Sequence, residues 1–486
     1  MKILILSILS LLCHTTLDLY GQSNKYFTSS GRKIDVNSFD ADIRKMIEEM
    51  GVPAVSLAVI NNNEIVYSNT YGVKSTSKNN KANKNTVFES CSLGKSFLVF
   101  VVLKMAEEGK LDLDKPVFEY LPNQKLEHDP RYKLITPRMI ISHTSGLENW
   151  QRYNDENKLE ILKTPGEAFT YSGEGINYLA AAIEAILGRS YAEYVNDMII
   201  GPLDLDRTFL NFKSHAIIPF SKGTPSNFAT GHNSFAEEFT KFRNSEPIAA
   251  GGINQTAEDY AKLFLATFDG DFLSEDIRQE ILKPAIYFDD STRYMGHGYA
   301  VLLYENDTII SFSGNNRGYK GEILYSTISK NGFVFFSNSD RGKLMTSQLN
   351  SMSARLPLGS YFKGYFKQYP SKAIQLLQVY REKSSESMFK HIAKMHESGK
   401  IDEDTMNELG DVFLYHDLTI SKNILEMSIK WYPNSATAYC LMGHAYKQSD
   451  DTSRSYKYFL KAKALGFDLW NIDRYIQEYE NSQASR

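Results

Sequence analysis

Hydrophobic and polar positions along this chain fall into stretches of different period, and each stretch predicts an element. Residues 54–60 are almost wholly apolar, an Asn61-Asn62-Asn63 turn follows, and 64–67 resume the pattern, which predicts a β-hairpin. Residues 97–106 are apolar on every face and run to Gly109, which predicts a buried helix. Further helices are predicted over 178–187 and 257–268. Strands are predicted over 298–304, 308–312, 322–326 and 332–338, the last two joined at Asn331-Gly332, a hairpin signal. Strands at both ends of a helical middle point to one α+β domain whose sheet unites distant parts of the chain. Polar segments at 122–134 and 208–247 read as loops able to roof a cleft. After about residue 356 strand patterns stop, so 32–357 is expected to be the α+β domain, 358–372 a linker and 373–486 an all-α domain.

Composition narrows the function. The 486 residues are 13% aromatic and contain only 30 Gly and 14 Pro, a globular rather than a disordered balance. Lys plus Arg (54) against Asp plus Glu (58) leave a net charge of −4 with no basic run, so nucleic acid is not expected as a partner. Lys2 precedes an apolar run over 3–13 that is too short to span a bilayer, and Leu19-Tyr20-Gly21 offers a cleavage site. Residues 1–21 therefore read as a removed signal peptide, which places the mature protein in the periplasm or outside the cell. A lipid anchor on Cys13 fits less well because Leu12 is bulky where lipidation wants a small residue. No later stretch reaches membrane-helix length. Cys91 and Cys440 then remain, too far apart in sequence to suggest a disulfide framework.

The candidate chemistry begins with Ser-x-x-Lys, a spacing that recurs at Ser30/Lys33, Ser75/Lys78, Ser92/Lys95, Ser360/Lys363 and Ser387/Lys390. On its own each pair reads as a capping Ser and a solvated Lys. Ser92 differs because a strongly apolar helix follows it, which buries the helix body while its first turn can face a cleft. Lys95 then shares a face with Ser92, and partial desolvation of its ammonium would make it a base for that hydroxyl. A second element, Pro165 to Gly175, delivers Tyr171 ahead of a helix, where a phenol beside a cation could ionise and shuttle a proton; packing is the plainer reading. In the third, Ser311-Phe312-Ser313-Gly314-Asn315-Asn316, Gly314 would let backbone approach a substrate and an amide join that of Ser92 as an oxyanion hole, or the strand simply ends in a hairpin.

Other stretches accompany these: Gly51-Val52-Pro53-Ala54-Val55-Ser56, Gly109-Lys110-Leu111-Asp112-Leu113-Asp114-Lys115-Pro116, Ile141-Ser142-His143-Thr144-Ser145-Gly146-Leu147 and Gly251-Gly252-Ile253-Asn254-Gln255-Thr256-Ala257-Glu258-Asp259. Together, and in this order, they resemble the serine β-lactamase and penicillin-binding-protein superfamily, in its class C β-lactamase-related branch of lactamases, peptidases and esterases. The resemblance implies an antiparallel sheet flanked by helices with a helical subdomain. It implies acyl transfer by Ser92 as nucleophile, Lys95 as base and Tyr171 as base partner, with the Ser92 and Asn315 amides holding the oxyanion. The substrate would be a small-molecule or peptide acyl compound, and no cofactor is expected. The ten histidines include no ligand-spaced pair, so nothing argues for a metal.

Two positions depart from the family. Tyr-x-Asn reads Tyr171-Ser172-Gly173, which removes an amide that would contact substrate. Phe312 stands where His or Lys usually opens the third motif; with no cation there, carboxylate-bearing β-lactams are expected to bind poorly and apolar esters to gain a wall. A non-catalytic acyl- or peptide-binding protein is therefore the alternative to a hydrolase. His143 and Ser145 read as turn-capping residues, Cys91 as a small buried residue, and Trp150 either lines the acyl pocket or packs a loop.

The tail repeats. Leu409-Gly410 with Phe413 matches Met442-Gly443 with Tyr446 at an offset of 33, and Ser421, Leu425 and Ser428 match Ser455, Phe459 and Ala462 at 34. Small residues at helix crossings resemble tetratricopeptide repeats, which implies a protein partner; generic helical hairpins are the alternative.

Overall fold

The computed structural model describes residues 25–467 apart from 152–156, 211–226, 239–247, 289–291, 305 and 359–371, together with scattered positions beyond 467. The expected signal peptide, Cys13 and nearly all of the expected linker lie outside the described residues, as do two stretches of the predicted loop at 208–247. The chain forms two compact units, the first made almost wholly of residues before 359 and the second of residues after 371.

The first unit is built on a nine-stranded antiparallel sheet. Its strands are β1 (Ala54–Asn61), β2 (Glu64–Ser75), β3 (Asn80–Lys81), β4 (Ile286–Tyr287), β5 (Arg293–Met295), β6 (Ala300–Tyr304), β7 (Asp307–Asn316), β8 (Tyr319–Ser326) and β9 (Gly332–Ser337), in the spatial order β3-β2-β1-β9-β8-β7-β6-β5-β4. Strand β1, early in the chain, pairs with β9 from its far end, Val55 opposite Ser337 and Ile60 opposite Gly332. This is the union of distant segments that the strand pattern predicts. Strands β8 and β9 are buried along their whole length and β1 along all but its last residue, which explains why they read as continuous rather than alternating apolar runs.

Helices of this unit include α1 (Val36–Met50), α2 (Lys95–Glu107), α3 (Gly173–Leu187), α4 (Ala257–Phe268) and α5 (Thr346–Met352). Helix α2 buries every residue from Lys95 to Leu103, as its all-round apolarity requires. Helix α4 packs on β1 and β9, with Tyr260 edge-on to Phe336 at 5.8 Å and its hydroxyl 2.9 Å from Ser96 Oγ on α2. Helix α3 starts five residues before its predicted start, at Gly173. Gly173 and Gly175 lie inside it because the Ser172 side chain accepts the Gly175 amide at 2.8 Å and caps the first turn. Strand β7 also outruns its prediction. Instead of turning at Gly314 it pairs on through Asn316 opposite Tyr319, and the turn falls at Arg317-Gly318, where Gly318 takes a φ of +80°.

The second unit is a run of helices: α6 (Lys372–Glu382), α7 (Ser385–Glu397), α8 (Glu403–Leu414), α9 (Leu418–Trp431), α10 (Ala436–Gln448) and α11 (Thr452–Ala464). A Cβ at Gly410 would run into Leu425, and one at Gly443 would come within 2.6 Å of Phe459, so each glycine lets a large side chain of the next helix approach its backbone.

Candidate active site

The short strand Phe88–Glu89 pairs with Asn254–Gln255 and leads into a 3₁₀ turn, Cys91–Gly94, that runs directly into α2. Cys91 has a φ of +53°, a left-handed conformation costly for a residue with a Cβ, and its thiol is buried beside the Tyr319 carbonyl at 3.5 Å. This turn presents Ser92, half-buried, while Lys95 disappears beneath it with 3% of its surface exposed.

Ser92 Oγ lies 3.4 Å from Lys95 Nζ and accepts a hydrogen bond from the Tyr171 hydroxyl at 2.6 Å. The Lys95 Nζ sits 5.1 Å from the Tyr171 ring centre and donates to the Ala250 carbonyl. Ala250 is itself fixed by its amide, which donates to Asn177 Oδ1 on α3 at 3.2 Å. Burial pushes the Lys95 ammonium down to about 7 and the Tyr171 phenol up to about 12. The amine is thus the group able to accept a proton near neutrality. For Tyr171, burial outweighs the hydrogen bond with Ser92, which favours the phenol as a donor.

The other expected residues divide. Gly314 stands against the Cys91–Gly94 turn: a Cβ there would meet Cys91 Cβ at 2.7 Å, Leu93 Cδ1 at 2.8 Å and the Ser90 carbonyl at 2.8 Å. The close approach for which glycine is needed is to the protein's own turn, and it brings Asn315, exposed, to the edge of the site. Trp150 is 51% exposed yet lies over Gly173, and the preceding Asn149 accepts the Gly173 and Glu174 amides through its carbonyl at 3.0 and 3.1 Å. Trp150 therefore packs a helix start and offers an aromatic surface. Phe312 differs from its expected place. It is only 8% exposed and packs edge-on to Tyr299 at 5.7 Å in the main core, because β7 alternates faces and this face meets the helices. Ser145 is fully buried, and its Oγ accepts the Leu147 amide at 3.4 Å, a turn role as expected.

On the opposite face of β7, Ser313 Oγ accepts a hydrogen bond from Lys343 Nζ at 3.1 Å. Lys343 comes from the turn Gly342–Met345 ahead of α5. Glu322, directly across the ladder from Ser313, is buried and accepts from Thr346; burial raises its carboxyl above the usual range, with Lys343 and Thr346 acting the other way. Sequence reasoning missed Lys343 because no spacing ties it to Ser313; only the fold of β7, β8 and the segment after β9 does.

Among the described residues no helix is long and apolar enough to cross a membrane, and no group of His, Cys, Asp and Glu side chains gathers that could hold a metal.

Comparison with known proteins agrees with this architecture. Protein flp of Staphylococcus aureus (strain MW2) is 27% identical over 193 residues, 36% of this chain and 39% of its own length, so the chain spans about two fifths of that relative. Penicillin-binding protein 4* of Bacillus subtilis (strain 168) is 22% identical over 304 residues, 57% of this chain and 66% of that protein. The structure of the octameric penicillin-binding protein homologue from Pyrococcus abyssi superposes with a TM-score of 0.54 at 22% identity, covering 66% of this chain and 77% of that one, which is a likeness of fold. A family model described as Beta-lactamase matches residues 39–350, more than half of the sequence. The chain belongs to the beta-lactamase family.

Proposed function

We propose that the unit before residue 359 is an exported serine hydrolase that works through an acyl-serine on Ser92. One observation carries this reading: Ser92 Oγ lies between the Tyr171 hydroxyl at 2.6 Å and a buried Lys95 amine at 3.4 Å whose pKa is brought down to about 7. One N–H of the neutral amine is committed to the Ala250 carbonyl, which leaves its lone pair for the serine proton. Lys95 takes that proton as Ser92 Oγ bonds to the substrate carbonyl carbon. The displaced electron pair settles on the carbonyl oxygen, between the amides of Ser92 and Asn315. As this oxyanion collapses, the bond to the leaving group breaks, and the leaving group takes the proton of the Tyr171 hydroxyl. Lys95, now an ammonium, returns a proton to Tyr171. Water attacks the acyl-serine by the reverse relay and frees Ser92.

Lys343, bonded to Ser313 and set beside the buried Glu322 carboxyl, is the cation that β7 offers to a substrate carboxylate where Phe312 offers none. The residue 1–21 pattern supports export. The paired contacts of Gly410 with Leu425 and Gly443 with Phe459 support a tetratricopeptide-like tail that docks a protein partner. Hydrolysis of small carboxylate-bearing esters by wild type, and its loss in Ser92→Ala, tests the catalytic reading; undiminished hydrolysis by the variant overturns it.

A further inference from the structure

His143 follows the short helix Pro137–Ile141 in a left-handed conformation, φ +54°, which turns its backbone and its ring toward the segment carrying Tyr171. Its carbonyl accepts the Thr170 amide at 2.7 Å. Its Nδ1 accepts the Ser172 amide at 3.3 Å. The residues on both sides of Tyr171 are thus tied to this one histidine. Between the two bonds the rings themselves meet, with centroids 4.2 Å apart and planes inclined at 36°. Phe169 closes on the imidazole from another side at 6.0 Å.

The hydrogen bond fixes the tautomer. A ring nitrogen that accepts an amide N–H carries no proton, so the neutral imidazole is protonated at Nε2. An imidazolium here would lose the Ser172 bond and set a second cation beside Lys95. Burial, helped by Lys95, holds the ring far below its ordinary range, at about 3.

We propose that His143 is the positioning residue that aims the Tyr171 hydroxyl at Ser92, by gripping the backbone on each side of the tyrosine and packing against its ring. The proposal rests on the acyl-serine reading, in which Tyr171 protonates the leaving group, and it adds a role for a side chain that does not touch substrate. Without His143 the phenol keeps its chemistry but loses its direction, and displacement of a catalytic donor by about 1 Å costs on the order of a hundredfold in rate.

The test separates aim from mere stability through the leaving group. A p-nitrophenolate departs without a proton, whereas an alkoxide needs one, so hydrolysis of an ethyl ester should depend on Tyr171 more than hydrolysis of the p-nitrophenyl ester of the same acid. His143→Ala is expected to lower the ratio of ethyl to p-nitrophenyl kcat/KM, which reports the acylation step alone, by roughly tenfold or more, as Tyr171→Phe does. The double variant should fall no further than Tyr171→Phe alone, because both act through one hydroxyl. His143→Asn, which keeps an acceptor in place of Nδ1, should recover part of the ratio, and it carries the test if the alanine variant does not fold. An equal loss on both esters, or a double variant in which the two losses multiply, would overturn the role of His143. Hydrolysis by Ser92→Ala would instead overturn the acyl-serine reading beneath it, and the two failures are distinct.

Discussion

The indole of Trp150 lies across the α-carbon of Gly173: a Cβ added there would come within 2.7 Å of Cη2 and 2.8 Å of Cζ3, and 3.0 Å from the Asn149 carbonyl. The missing side chain at the third position of Tyr171-Ser172-Gly173 is therefore the counterpart of a tryptophan that occupies its space.

Restoring the amide alone should accordingly fail. Gly173→Asn is expected to destabilise the protein by about 1–3 kcal/mol through overpacking against Trp150. The same change in a Trp150→Ala background should cost less by about 1 kcal/mol or more, the coupling expected of side chains competing for one volume. Denaturant unfolding of the four proteins in the cycle measures it, and strictly additive losses would show that Trp150 is not what excludes the side chain.

How much of this was legible in the sequence depends on the range of the interaction involved. The β1–β2 hairpin, α2, α4 and the β8–β9 pair follow from local apolar runs and turn residues, and all but β2, which runs eight residues past its predicted end at 67, lie within a few residues of their predicted bounds. Sequence singles out Ser92 and Lys95 by the apolar helix behind them and Tyr171 by the order of motifs, and the fold brings the three side chains together. The geometry at Gly314 was misjudged, because a glycine that ends a strand and one that lets a strand pass a neighbouring turn look alike until Cys91 and Leu93 are placed in space. Lys343 and Asn177 carry no local signal; they matter only because tertiary structure sets them at Ser313 and Ala250. The motif position of Phe312 points to substrate, whereas the pleat of β7 turns it into the core with Tyr299.

The lysine base predicts a pH profile. With Lys95 at about 7, kcat/KM should rise with pH through an apparent pKa near 7 as the ammonium becomes an amine. Tyr171, at about 12, should add no falling limb up to about pH 10. Rates on a neutral ester across pH 5–10 check this, and a profile that falls between pH 7 and 9 would contradict the assignment of base and acid.

Burying that lysine should cost stability. Because the folded state holds it at about 7 against an ordinary 10.5, the unfolded chain binds more protons between those values, and stability from this group rises with pH across that window. Lys95→Met is expected to abolish turnover yet raise Tm by roughly 5 °C at pH 7, with the gain shrinking toward pH 10. Thermal unfolding at the two pH values gives the answer; a variant less stable than wild type at pH 7 would mean the amine is not held against its desolvation.

Substrate charge should be read by Lys343 rather than by position 312. Lys343→Ala is expected to lower the ratio of penicillin acylation to neutral-ester hydrolysis by about tenfold, the loss of one charge-assisted contact. Phe312→His places an imidazole in an aromatic core beside Tyr299 and should lower Tm without raising that ratio. Second-order rate constants for the two substrates decide between them, and a ratio raised by Phe312→His with Lys343→Ala silent would return the specificity to Phe312.

The most direct test of the central claim is covalent. Incubation of the purified protein with a fluorophosphonate and, separately, with a fluorescent penicillin, followed by peptide mass spectrometry, should find one adduct on the peptide that contains Ser92, absent from Ser92→Ala and formed far more slowly in Lys95→Ala. An adduct on another residue, or undiminished labelling of Ser92→Ala, would contradict an acyl-serine at this site.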